Sequence, residues 1–137
     1  IFMEKYFNTI SIFAAILGGF IGQHLGGWDM LLSTMLTLVV LDYIAGVLKA
    51  IYNKKLSSKI GYKGIIRKVF IFIVIAVAYE IQKVTASNIA IREMVIMFFI
   101  ANESISLLEN ASEFIPIPDA LKDVLEQLRD STENKDK

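Results

Sequence analysis

Apolar and polar positions divide the chain into four long hydrophobic stretches and one short amphipathic stripe. Residues 7–28 form a run of 22 without a Lys, Arg, Asp or Glu, and between positions 30 and 48 the only charge is Asp42. About 20 mainly apolar residues suffice for a helix to cross roughly 30 Å of hydrocarbon, so both stretches predict transmembrane helices, over 7–28 and 30–51. The third is continuously apolar only over 69–79. To span, it must extend over 65–84, with Arg67, Lys68 and Lys83 reaching outward at its ends and Glu80 left inside. The fourth, 89–108, carries Arg92, Glu93, Asn102, Glu103, Ser104 and Ser106 around a clean core of 94–101. Its pattern predicts a helix and leaves open whether it crosses. Beyond Pro116 and Pro118, the spacing of Leu121, Val124, Leu125 and Leu128 predicts a short amphipathic helix.

The expected fold is therefore all-α, an integral membrane protein of three to four transmembrane helices. Residues 1–115 form the membrane-embedded domain, and 116–137 form an amphipathic helix with a polar cytoplasmic tail, disordered from Ser131 onward. Asp42 is the test of the second span. A central Asp costs about 2.5–3.5 kcal/mol on insertion, while its ten Leu, Ile and Val neighbours return on the order of 3–6 kcal/mol, so the segment still inserts.

Charge placement sets the orientation. The connection 49–68 holds Lys49, Lys54, Lys55, Lys59, Lys63, Arg67 and Lys68 and no acid, whereas the connection around Gly26, Gly27 and Asp29 has no Lys or Arg. Short loops rich in Lys and Arg stay in the cytoplasm, which puts the N-terminus inside as well. The first segment reads as a retained span, since it has no basic region beyond Lys5 and no small-residue cleavage site. The basic connection is either a topology determinant alone or also a binding surface for anionic lipid or a partner. Around the last helix the polar residues are mainly acidic, which favours docking on protein over lying on an anionic membrane.

Composition narrows the function classes. The chain is 55% hydrophobic and 20% charged, more apolar and less charged than ordinary soluble domains. Fourteen basic residues balance fourteen acidic ones, which argues against nucleic acid as a partner. With no Cys and a single His, no metal or cofactor site is expected, and no GxSxG, HExxH or phosphate-binding loop points to catalysis. Gly18, Gly22 and Gly26 at four-residue spacing predict close helix packing. Asp42 has Ala45, Gly46 and Lys49 on its own helix face, with Ala50 following. A second polar stripe joins Asn102, Glu103, Ser106, Glu109, Asn110 and Glu113. With Glu80, these intramembrane groups either pair inside one subunit or face an oligomer interface or wet pore.

The segment Leu41-Asp42-Tyr43-Ile44-Ala45-Gly46-Val47-Leu48-Lys49-Ala50, followed by Leu56-Ser57-Ser58-Lys59-Ile60-Gly61-Tyr62-Lys63-Gly64-Ile65-Ile66-Arg67-Lys68, resembles the signature of the small phage holins that include the clostridial toxin-secretion holins. Residues 102–110 and Ile115-Pro116-Ile117-Pro118 are similar to that family's C-terminal half, although Phe114 and Ile115 stand where members often have Gly. The resemblance covers roughly residues 32–137. It implies a non-enzymatic protein of the bacterial cytoplasmic membrane that assembles with itself into lesions, through which an endolysin or a folded toxin passes. On that view Asp42, Ala45, Gly46, Lys49, Ala50, Glu80, Asn102, Glu103 and Ser106 form the oligomer or pore face. A small ion channel or transporter and a non-lytic anchor or holin antagonist are the alternatives.

Overall fold

The computed structural model describes residues 1–85 and 88–134. They form five helices: α1 Phe2–His24, α2 Met30–Tyr52, α3 Ser58–Thr85, α4 Ile91–Ser112 and α5 Asp119–Asn134. There is no strand among the described residues. Two of the helices, α1 and α2, are long and apolar enough to cross a membrane by length and composition. Both α3 and α4 carry charged residues along their length.

The inward faces of α2, α3 and α4 explain the packing. On α2 the buried positions are Leu32, Met35, Val39 and Asp42, and on α4 they include Arg92, Ile96 and Glu103, each series following one face of a helix. On α3, Ile75 and Ala78 are buried, with Ile71 and Lys68 one and two turns earlier on the same side. The helix α4 packs against α2, α3 and α5, and α2 and α3 touch each other only briefly. Leu25, Leu32, Met35, Val39, Ile75 and Ile96 make the apolar core. Toward the other end of the bundle all three inward stripes turn polar at one level, at Asp42, Lys68 and Glu103.

The outside is the reverse of a soluble protein. Large apolar side chains such as Leu36, Val40, Ile44, Phe70, Ile73 and Val77 are exposed, and among the described residues they outnumber the buried ones. The first helix is the extreme case: it makes only brief contact with α3, and Gly22 is its one buried residue.

Local chemistry sets the ends. Asp29 caps α2, its Oδ1 accepting from the Leu32 amide at 2.9 Å. Gly26 and Gly27 both have positive φ, 92° and 97°, which turns the chain from α1 into α2 and ends α1 at His24. Gly26 is therefore not on a helix face, and the expected three-glycine packing stripe does not form. The Trp28 indole instead folds back over Gly22 and donates to the Gly18 carbonyl at 2.8 Å. The basic stretch 49–68, expected as a loop, contains only a short connection, because Lys49 lies on α2 and Lys59, Lys63, Arg67 and Lys68 lie on α3. The tail is helical through Asn134, so the disorder expected from Ser131 does not hold for 131–134; residues 135–137 lie outside the described residues. In α5, which packs against α4, Leu125 and Leu128 are half-buried while Leu121 and Val124 are exposed.

Candidate functional site: a buried ion cluster and its cavity

Three helices deliver one charged group each to the middle of the bundle. The Lys68 ammonium lies 2.5 Å from Asp42 Oδ2 and 2.5 Å from Glu103 Oε2. Asn110, two turns beyond Glu103 on α4, donates from Nδ2 to Asp42 Oδ1 at 3.2 Å. The side chains of Asp42 and Glu103 are only 4% and 10% exposed, so their pairing is required rather than optional. Two carboxylates thus share one ammonium.

A cavity of 470 Å³ opens onto this cluster between α2, α3 and α4. It runs from exposed Arg67, Leu56 and Ile60 to buried Asp42 and Glu103. Small residues keep its walls apart. Gly46 and Ala50 line the α2 side, and a Cβ on Gly46 would stand 3.9 Å from Asn110 Nδ2. On the α3 side, Gly61 and Gly64 receive the Tyr43 ring, whose hydroxyl donates to the Gly61 carbonyl at 3.3 Å. The arrangement offers polar groups and space for water in the interior of a bundle whose exterior is apolar. Among the described residues there is no group of side chains suited to a metal ion.

The structure thus brings together Asp42, Gly46, Ala50, Asn102, Glu103 and Ser106 of the expected oligomer or pore face, as the lining of an intramolecular cavity. Three other expected members lie elsewhere. Ala45 is half-buried outside the cavity lining, Lys49 pairs with Glu113 at 3.6 Å, and Glu80 pairs on the exposed surface with Lys83 at 2.9 Å. Asp42 pairs not with Lys49 on its own helix face but with Lys68, which the sequence presented as one of several loop cations. Of those, Arg67 lines the cavity, and Lys54, Lys55, Lys59 and Lys63 are exposed.

A buried cation, Arg92, forms a separate cluster that the sequence did not single out. Its guanidinium lies in the first turn of α4 and reaches the connection between α1 and α2. It bonds both Asp29 oxygens, at 2.8 and 3.1 Å, and donates to the carbonyls of Gly27, at 3.2 Å, and Leu25. Its backbone amide donates to Gln82 Oε1 at 2.8 Å, so the same residue ties α3 to this end of the bundle. The hydrogen bonds from Arg92 hold the Asp29 carboxyl below its ordinary value of 3.8. The pattern that could have revealed it is an arginine opening an apolar helix, with an aspartate in the preceding hairpin turn.

Comparison with known proteins follows the same line. The profile of the bacteriophage holin family matches residues 19–130. An uncharacterized 14.9 kDa protein from the nagH 3′ region of Clostridium perfringens is 38% identical over 128 residues, covering 92% of this chain and 97% of that protein. The uncharacterized protein Lmo0128 of Listeria monocytogenes is 38% identical over 109 residues, 79% of this chain and 78% of its own. A probable holin of Bacillus phage phi105 is 33% identical over 113 residues, 82% of this chain and 84% of that one. No solved structure matches the chain. The match spans the ion cluster, the cavity and the Arg92 contact alike, and it is to a family of membrane proteins that are not enzymes; the chain belongs to the bacteriophage holin family.

Proposed function

We propose that the chain acts as a holin: it accumulates in the bacterial cytoplasmic membrane and assembles with copies of itself into lesions that pass a cell-wall hydrolase or a folded toxin. The observation that carries this reading is a holin-family bundle with an apolar outside and an ionic interior. Such a subunit is stable in lipid, and its polar interior becomes useful only where water is admitted. Its partners are itself, the bilayer and the passing cargo; it needs neither nucleic acid nor cofactor, and it performs no catalysis.

Three to four helices cross the membrane in this reading. Support for the fourth crossing comes from α4 running beside α2 over its length: Arg92 meets the α1–α2 connection at one end, and Glu113 and Phe114 meet Lys49 and Tyr52 at the other. The N-terminus is cytoplasmic, and so are α5 and the remainder of 116–137. Lys54, Lys55, Lys59 and Lys63 gather at the end we assign to the cytoplasm. A cysteine replacing Ser58 is therefore expected to resist membrane-impermeant thiol reagents in intact cells, while one replacing exposed Met30 labels. The chain has no native cysteine to confuse the result. Labelling of Ser58→Cys without permeabilisation reverses the orientation.

Induced expression in a bacterium, with and without a co-expressed cell-wall hydrolase, tests the function. Depolarisation in both cultures and lysis only where the hydrolase is present is the expected result. A membrane that stays polarised overturns the proposal. The cavity ending on Asp42 and Glu103 favours one other reading, a small ion channel, which reproducible, ion-selective unitary currents would establish in place of large leaks.

Asp42→Asn separates folding from lesion formation. The amide keeps the shape of the carboxylate and an oxygen to accept from Lys68, so the variant is expected to reach normal membrane levels. With one of the two carboxylates replaced in the cluster, depolarisation comes late or not at all. Reduced abundance would assign Asp42 to subunit folding, and normal abundance with normal timing would remove it from both roles.

A further inference from the structure

The cations at the start of α3 have a second use. Lys59, Lys63 and Arg67 recur every fourth residue and rise along one side of the helix. All three are exposed, as are Lys54 and Lys55 in the preceding connection, and none of the five has an ion-pair partner among the described residues. At this end Asp42 and Glu103 hold Lys68 and Glu113 holds Lys49, while Glu109 and the α5 acids Asp119, Asp123 and Glu126 pair with none of the five. The ridge is thus an uncompensated positive surface on a chain whose overall charge is zero.

Helix length allows the ridge to stand at headgroup level. With 28 residues α3 is about 42 Å long, roughly 12 Å more than the hydrocarbon thickness, a surplus of about eight residues. Placing that surplus at the basic end leaves Lys59 and Lys63 among the headgroups and Arg67 at their inner edge. Exposed Leu56, Ile60 and Tyr62, 48%, 54% and 68% accessible, alternate with these cations. A soluble polyanion would leave such apolar side chains in water, whereas a lipid surface buries them beneath the phosphates that the cations bind.

We propose that the Lys59–Lys63–Arg67 ridge is a binding site for the phosphodiester headgroup of an anionic phospholipid of the cytoplasmic leaflet, such as phosphatidylglycerol. Arg67 also lines the cavity, so a headgroup held there borders the opening toward Asp42 and Glu103. The site requires the chain to be in a membrane with its basic end inside; it does not require lesion formation, so its test reads lipid binding and not permeabilisation.

The full-length chain, purified in neutral detergent, is titrated with short-chain phosphatidylglycerol, with phosphatidylcholine of equal chain length, and with free glycerol phosphate, and bound lipid is counted by native mass spectrometry. The wild type is expected to prefer phosphatidylglycerol to phosphatidylcholine by at least about tenfold, and glycerol phosphate is expected not to compete. Lys59→Gln/Lys63→Gln is expected to weaken phosphatidylglycerol binding about 30-fold, two contributions of about 1 kcal/mol each. Lys59→Arg/Lys63→Arg should retain it, and Lys83→Gln, at the other end of α3, should leave it unchanged. Equal binding of the two lipids by the wild type overturns the proposal, as does equal loss in Lys83→Gln. Effective competition by glycerol phosphate overturns the lipid assignment in favour of a soluble phosphate.

Discussion

Lys68→Met is expected to lower the stability of the detergent-solubilised protein by about 3–5 kcal/mol and to deplete it from the membrane. The lysine is the shared counter-charge of Asp42 and Glu103, at 2.5 Å from each, and its removal leaves two carboxylates facing one another in the bundle interior. A thioether of similar length fills the space but supplies no donor. Removing one partner of a buried ion pair costs far more than replacing the set with neutral groups. The triple variant Lys68→Met/Asp42→Asn/Glu103→Gln should therefore recover most of the lost stability. Helical circular dichroism during thermal denaturation checks both steps. If the single variant melts with the wild type, the cluster is not a structural unit and its short contacts carry no energy. The triple variant has a second use: at normal abundance, its depolarisation time course shows whether the charges serve assembly beyond their role in folding.

The helices were legible because charge is absent over long intervals. The charge-free run at 7–28 and the single Asp42 between 30 and 48 leave little alternative to two apolar helices. Their ends were less legible, because a run without charge does not mark where backbone geometry changes; Gly26 and Gly27 end α1 before its apolar run is over. The basic segment misled in the opposite sense. Lys59, Lys63, Arg67 and Lys68 read as a polar loop, while the periodicity that matters there is that of Ile60, Gly64 and Ile71, which line the cavity on one face of α3.

Partners far apart in sequence were the least accessible. The sequence offered Asp42 a lysine on its own helix, but two turns along a helix is a poor separation for a direct bond, and the bundle brings Lys68 from 26 residues away. The polar stripe of α4 was visible as a stripe. That Glu103 turns toward Lys68 and Asn110 toward Asp42 follows from α4 lying between α2 and α3, which no periodicity specifies. Glu80, equally acidic and within an equally apolar stretch, points outward instead and is satisfied by Lys83 one turn away.

Arg92→Ala is expected to cost about 3–5 kcal/mol in its turn, because Arg92 is 2% exposed and holds several acceptors at once. The loss is expected to add to that of Lys68→Met: Arg92 and Glu103 are separated by about 16 Å along α4, and the two sets share no partner. Arg92→Lys should recover only part of it. A single ammonium cannot reproduce the fork that binds both Asp29 oxygens while also donating to Gly27 and Leu25. The local signature is faster amide exchange at Leu32, whose N–H is held by Asp29. Acid provides an independent measure. An acid whose folded pKa is depressed contributes stability that is present above its unfolded value, here 3.8, and is lost as pH falls through the lower folded value. The wild type should therefore lose this contribution only below about pH 4, and Arg92→Ala should abolish that part of the acid dependence. The effect is small, since the Asp29 side chain is 45% exposed and screened by water and salt. If Leu32 exchange and acid sensitivity are both unchanged in Arg92→Ala, the contact between α4 and the α1–α2 connection does not hold the two together.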